Sequence, residues 1–133
     1  MWKVSAGGGT PVQVTRDAGI FAQESPDGKW LYYRTPDNII RRMPAAGGDS
    51  AEFAHNAYAM WVGARGVYFF ENRNRAQDWG IRFLPHAGGE PKVIGSVQQR
   101  ILFYISVSPD ERYLLYSQYD QAAAELMLVE NFR

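Results

Sequence analysis

A short pattern built around a Gly-Gly pair occurs three times in this sequence of 133 residues. It reads VSAGGGT at Val4–Thr10, MPAAGGD at Met43–Asp49 and LPHAGGE at Leu84–Glu90, with offsets of 39 and 41 residues. A Gly-Gly pair supplies the positive φ angles of a tight reversal, and each copy lies between two short apolar segments. The pattern therefore predicts a β-hairpin that recurs about every 40 residues.

A second motif lies between these hairpins. ESPDGKWLYY at Glu24–Tyr33 returns as VSPDERYLLY at Val107–Tyr116, and a decayed copy, VGARGVYFF, occupies Val62–Phe70. Ser-Pro-Asp-Gly is typical of a type I turn, because Pro presets φ while Ser and Asp bond nearby backbone N–H groups. We therefore interpret Asp27 and Asp110 as turn residues and not as carboxylate ligands or general bases, since a catalytic residue has no reason to recur in each repeat.

Together the two motifs define a repeating unit of strand A, turn, strand B, longer loop, strand C, Gly-Gly turn and strand D. No segment keeps a helical period with caps. Four short antiparallel strands in about 40 residues predict a β-propeller blade. We expect an all-β chain of about thirteen strands forming one domain over residues 1–133. Its blade repeats would span 2–15 (partial), 20–54, 57–94 and 101–130, or about three blades.

The SPDGKWLYY and SPDERYLLY segments, each associated with a Gly-Gly hairpin, resemble the TolB-type, WD-like propeller repeat. The closing stretch from Ser106 to Arg133 is similar to the C-terminal end of a set of bacterial proteins. In those proteins a propeller often follows a winged-helix DNA-binding domain and a membrane span. The resemblance implies a six-bladed ring and a periplasmic or otherwise extracytoplasmic location.

Three blades cannot close a ring, since closed propellers have about four to eight. Left open, the chain would expose two blade faces and unpaired edge strands. Two solutions are compatible with the sequence: the chain is a fragment of a longer propeller, or two chains associate head to tail as a homodimer with six blades. We expect the homodimer.

The apolar runs of strand B predict that each blade is covered on both faces by its neighbours. From the alignment of the motifs, one face carries Trp30, Tyr32, Val67, Phe69, Tyr113 and Leu115. The other face carries Leu31, Tyr33, Tyr68, Phe70, Leu114 and Tyr116.

Composition argues against several classes of function. Fourteen basic and fourteen acidic residues cancel, whereas a nucleic-acid-binding protein usually carries a basic excess. The absence of cysteine removes disulfides and thiolate chemistry, and no apolar run is long enough to insert in a membrane. Without a nucleophile elbow, a phosphate loop or a histidine pair at metal-ligand spacing, we predict no enzymatic activity, no cofactor and no metal site.

Candidate binding residues lie in the loops that join strands B to C and D to A. The longest is ENRNRAQDWG at Glu71–Gly80, where Arg and Trp are typical of binding hot spots. The alternative is a solvated loop in which Trp79 begins strand C. The candidates are Arg16, Asp17, His55, Arg73, Arg75, Trp79, Gln99 and Arg100. His86, within a Gly-Gly turn, is expected at the surface.

The sequence favours a non-catalytic binding or scaffolding module that recognises a protein, peptide or small ligand at its loop face. Three alternatives remain: the propeller part of a larger sensor or regulator, the propeller of a propeller-gated hydrolase, and an excised or engineered half-propeller without a function of its own. The domain encoded next to this segment would separate them.

Overall fold

The computed structural model describes residues 1–72 and 78–119. Arg73, Arg75 and the final strand expected before residue 130 lie outside the described residues. The described residues contain twelve β-strands and no helix. The strands are β1 (Trp2–Lys3), β2 (Val12–Gln13), β3 (Ile20–Glu24), β4 (Trp30–Arg34), β5 (Ile40–Pro44), β6 (Ala51–Ala54), β7 (Ala57–Val62), β8 (Gly66–Asn72), β9 (Trp79–Pro85), β10 (Lys92–Val97), β11 (Ile101–Val107) and β12 (Leu114–Gln118).

These strands form two four-stranded sheets and two two-stranded pairs. The first sheet has the order β3-β4-β5-β6 and the second has β7-β8-β9-β10, each made of antiparallel neighbours. The N-terminal pair is β1-β2 and the C-terminal pair is β11-β12. Each sheet follows the predicted A-B-C-D order, which confirms an all-β chain of four-stranded antiparallel sheets.

All three Gly-Gly turns have the same geometry. Both glycines of each pair have positive φ, with 107° and 131° at Gly47 and Gly48. In each turn the first glycine donates its N–H to the carbonyl three residues earlier, at 2.8–2.9 Å. A side chain at these φ angles would be strained, so the prediction of repeated hairpins is confirmed together with its cause.

The two Ser-Pro-Asp turns are also alike. Ser25 donates its hydroxyl to the Asp27 carboxylate at 2.6 Å and accepts the N–H of Trp30 at 3.0 Å. Ser108 makes the same bonds to Asp110 and Tyr113, at 2.6 and 3.0 Å. The Ser25 hydroxyl and the Lys29 N–H lower the pKa of Asp27. The turn role predicted for both aspartates is therefore confirmed.

The sheets stack in chain order around their first strands. β7 contacts β3 and β4 on one side and β11 on the other. One apolar cluster, which includes Tyr32, Ile40, Val67 and Phe69, fills the space between the two sheets. A second cluster, which includes Tyr68 and Phe70, lies between the second sheet and the C-terminal pair. Strand β8 is thus covered on both faces, as the apolar runs predicted.

The predicted assignment of strand B faces is wrong for the middle repeat. Tyr32 pairs with Gln23, and its structural equivalent Tyr68 pairs with Trp61. Val67 and Phe69 therefore share the face of Leu31 and Tyr33, not that of Tyr32, and they pack against Tyr32 from the neighbouring sheet. The first turn is closed by the Ser25 N–H on the Trp30 carbonyl and the middle turn by the Gly63 N–H on the Gly66 carbonyl, so the middle turn is two residues shorter. The motif alignment allowed for one residue only, and a shift of one residue exchanges the two faces of a strand.

The C-terminal pair is not covered on both faces, as expected for the end of a chain of about three blades that does not close a ring by itself. Tyr113, Leu115 and Tyr116 are exposed, and the side chain of Leu115 has 69% of its surface accessible. In the N-terminal pair, Trp2 and Val12 are exposed in the same way. Among the described residues no further sheet packs beyond either pair.

Candidate functional site

The connections from B to C and from D to A lie at one end of the sheets, which we call the loop end. In an antiparallel sheet of four strands these connections necessarily alternate with the tight turns at the opposite end. A direct contact joins two of them: the Ala57 N–H, after the connection at His55, donates to the Asn38 carbonyl at 2.8 Å. The B-to-C loop of the first sheet and the D-to-A connection that follows this sheet are therefore in direct contact at the loop end.

Two of the predicted site residues, Asp17 and His55, belong to a row of polar side chains on this sheet. Arg41 approaches Asp17 at 3.3 Å and Glu52 at 3.7 Å, and Glu52 approaches His55 at 3.6 Å. Tyr33, fully buried, also donates its hydroxyl to the Asp17 carboxylate at 3.0 Å. Asp17 is thus held between the N-terminal pair and the first sheet by two partners that the sequence did not single out, Arg41 and Tyr33.

A cavity of about 380 Å³ adjoins Asp17. Arg16 and Asp17 line it on the side of the N-terminal pair, and Tyr33 lines it on the side of the first sheet. From Asp17 the cavity extends between the pair and the sheet to Gly48, Asp49 and Ser50 at the Gly-Gly turn. Arg16 is exposed. The lining includes acidic and basic side chains and the hydroxyl-bearing residues Thr15, Tyr33 and Ser50, so its chemistry suits a hydrogen-bonding ligand.

The remaining predicted residues are dispersed. Trp79 is buried and packs on Tyr58 at a ring distance of 4.8 Å, and it begins β9, as the alternative interpretation of that segment held. Gln99 is half-buried and Arg100 is exposed, with its guanidinium 5.6 Å from the Tyr119 ring. Arg73 and Arg75 fall outside the described residues.

The expectation that His86 lies at the surface is wrong. Its ring is half-buried between the two sheets, with Nδ1 at 2.7 Å from the Tyr32 hydroxyl and Nε2 at 2.9 Å from the Gly63 carbonyl. Because a carbonyl can only accept, Nε2 carries a proton, and a neutral ring accepts at Nδ1 from Tyr32. His86 therefore links the Gly-Gly turn of the second sheet to the first sheet.

Glu111 links the second sheet to the C-terminal pair. Its carboxylate accepts from the Arg65 N–H and from the Tyr68 hydroxyl, both at 3.1 Å, and forms an ion pair with the Arg65 side chain. Burial alone would raise the pKa of Glu111, but the hydrogen bonds from Arg65 and Tyr68 outweigh it and lower that pKa. Glu111 thereby supports the middle turn, which lacks the Ser-Pro-Asp side chains of the other two.

Sequence reasoning missed Arg34, the last residue of β4. Its side chain is 5% exposed, donates to the Asn38 amide oxygen and lies 5.2 Å from the Phe21 ring centroid. Its Nε is buried without a hydrogen-bond partner. Burial lowers the pKa of Arg34, although a guanidinium keeps its charge at neutral pH. Arg34 is thus a buried cation at the loop end.

Within residues 1–72 and 78–119, no group of three or more His, Asp or Glu side chains is arranged to hold a metal ion. Over the same residues, no helix is long and apolar enough to cross a membrane. Comparison with known proteins finds no match to a protein-family model, to a curated protein or to a solved structure. The likeness to the TolB-type repeat therefore stays a prediction that rests on the quoted motifs.

Proposed function

We propose that this chain is a non-catalytic β-propeller module that recognises a protein, peptide or small ligand at its loop end. The observation that carries the proposal is the stacking of the two four-stranded antiparallel sheets and the C-terminal pair around β3, β7 and β11, with their longer connections at a shared end. Such a stack is a rigid support for loops, and loops on rigid supports commonly carry binding functions.

The loop end also carries the chemistry of a recognition surface. Asp17 and Arg41 present paired charges beside a cavity, and exposed aromatic side chains such as Phe21 and Phe103 lie on the first strands of the sheets. Charged side chains fix the orientation of a ligand, while aromatic side chains supply apolar contact area.

We further propose that the 133-residue chain closes a six-bladed ring with a second copy of itself. The N-terminal pair corresponds to strands C and D of a blade, and the C-terminal pair to strands A and B. Each pair exposes a large apolar side chain, Trp2 in the N-terminal pair and Leu115 in the C-terminal pair. A head-to-tail dimer would bury both. In a longer parent protein, neighbouring blades of the same chain would take this place.

The first prediction concerns recognition at the loop end. Peptides enriched from a random phage-displayed library against the folded chain should lose at least about tenfold in affinity with Asp17→Ala, because that carboxylate lies beside the cavity. Lys29→Ala, at the opposite end, is the control and should bind unchanged, as measured by calorimetry. Enrichment of no peptide, or of peptides sensitive only to Lys29→Ala, would contradict the proposal.

A second prediction concerns the assembly. Light scattering on a sizing column should give twice the mass of a single chain, and Leu115→Lys should give the monomer mass, because it places a charge in the apolar contact. Val93→Lys on the outer strand β10 has a comparable exposure of 52% and should leave the dimer intact. A monomeric wild-type chain would overturn the proposed ring of two copies but would leave the proposed recognition of a ligand at the loop end unaffected.

A further inference from the structure

We propose that Arg34 binds the carboxylate of a ligand, and that the aromatic side chains on β3, β7 and β11 hold an apolar group of the same ligand. The inference rests on the proposed recognition at the loop end and names the class of ligand: an apolar carboxylate, such as an acidic or C-terminal residue beside an apolar side chain in a peptide.

Arg34 departs from the pattern of the repeat at its position. It pairs with Ile20 and Ile40, and the equivalent residue of the second sheet, Phe70, pairs with Ala59 and Ile81. Phe70 is fully buried in the apolar cluster beyond that sheet. The architecture thus accommodates a large apolar side chain here, so the fold alone does not account for a buried guanidinium.

The hydrogen-bonding capacity of Arg34 is largely unused. A guanidinium has five N–H donors, and among the described residues its one hydrogen bond goes to the Asn38 amide oxygen. Its Nε is buried without a partner, and no described carboxylate forms an ion pair with it. A buried cation without a counter-ion is costly, and an incoming anion relieves that cost. The planar fork of a guanidinium matches a carboxylate.

Aromatic side chains at irregular positions of β3, β7 and β11 form the apolar part of the site. Each of these strands is the first strand of its sheet or pair, and each has a shift in its register. The register of β3, β7 and β11 shifts between Ile20 and Gln23, between Ala57 and Ala59, and between Ile101 and Ile105. Such bulges redirect side chains. Here they fall at Phe21, Tyr58, Phe103 and Tyr104.

Three of these four aromatic side chains line a small cavity. Tyr58 stacks on Phe103 at 5.0 Å, and Phe21, whose ring lies beside Arg34, shares with Phe103 and Tyr104 a cavity of about 200 Å³. The surroundings favour a carboxylate over a phosphate. One guanidinium neutralises a single negative charge, whereas a phosphate dianion would leave an unpaired charge beside aromatic rings.

The test compares two probes of closely similar shape, the anion 3-phenylpropionate and the neutral amide 3-phenylpropanamide, titrated into the ¹⁵N-labelled chain and followed by NMR. The carboxylate should bind at least about tenfold more tightly than the amide and shift the signals of Arg34 and Phe21. Equal affinity for the two probes, or shifts confined to other parts of the chain, would overturn the inference.

Variants separate a role in binding from a role in folding. Arg34→Gln should abolish the preference for the carboxylate, while Arg112→Gln, at an exposed arginine of the opposite end, should keep it. Asn38→Asp covers the case in which Arg34→Gln does not fold: Asn38 has φ of 62°, which Asp tolerates, and the new carboxylate would occupy Arg34. A preference retained in Asn38→Asp would overturn the inference.

The outcome also distinguishes this inference from the function on which it rests. If neither probe binds but library peptides still require Asp17, recognition at the loop end stands and the carboxylate site falls. If the peptides fail as well, both fall.

Discussion

Replacing Phe69 by alanine should lower the free energy of unfolding by about 4 kcal/mol. Phe69 is 1% exposed and lies in the cluster that joins the two four-stranded sheets, together with Tyr32, Ile40 and Leu84. Its removal takes away apolar contacts and leaves a cavity in a packed interior that closes only in part. Urea unfolding followed by tryptophan fluorescence at constant chain concentration measures the change.

The control is Phe103→Ala, the same substitution at a residue with 49% exposure. Phe103 stacks on Tyr58 but has one side open to water, so its loss should cost under about 1.5 kcal/mol. The comparison tests the interface between the sheets directly. Equal losses for the two variants would mean that the first and second sheets do not pack through Phe69.

Gly66→Ala should destabilise the chain by about 3 kcal/mol. A Cβ at Gly66 would clash with the Leu84 carbonyl oxygen and would lie 2.8 Å from the Pro85 Cα, and both neighbours are backbone atoms. Relief requires β8 and β9 to move apart, which breaks the hairpin register that sets both apolar faces of the second sheet. Thermal unfolding followed by circular dichroism gives the loss.

Gly95→Ala is the matched control, because a Cβ there meets its nearest neighbour, the Ile81 Cδ1, at 3.4 Å. This neighbour is the end of a flexible side chain, so the variant should stay within about 1 kcal/mol of the wild type. If Gly66→Ala unfolds no more easily than Gly95→Ala, the close approach of β8 and β9 at this point is wrong.

At Gly66 the sequence motif predicts the residue type but not the structural reason for it. By motif alignment it is the retained glycine of a Ser-Pro-Asp-Gly turn, whose counterpart Gly28 has φ of 70°. In the structure, Gly66 begins β8, and its small size is required by the neighbouring backbone and not by φ. The pattern predicted the identity of the residue, but the reason for it depends on a contact with Leu84 and Pro85.

In the candidate site, too, some residues could be predicted from the sequence and others could not. Asp17 and His55 were predictable as loop residues, because loops between strands follow from the repeat. Arg34 was not predictable in this way. The alignment of the sequence motifs equates Arg34 with Glu71, whereas the strand register equates it with Phe70, because the middle turn is one residue shorter than the alignment assumed. Only the register shows that a charge stands at an apolar position.

The sequence by itself determined the hairpins, the Ser-Pro-Asp turns and the order of strands within each sheet, because turn chemistry and alternation act over a few residues. The tertiary structure decided which faces meet, where His86 and Trp79 lie, and which cation at the loop end lacks a partner. These features depend on register and on contacts between sheets, and such contacts join residues that are distant in the sequence, for example Tyr32 and His86, which are 54 positions apart.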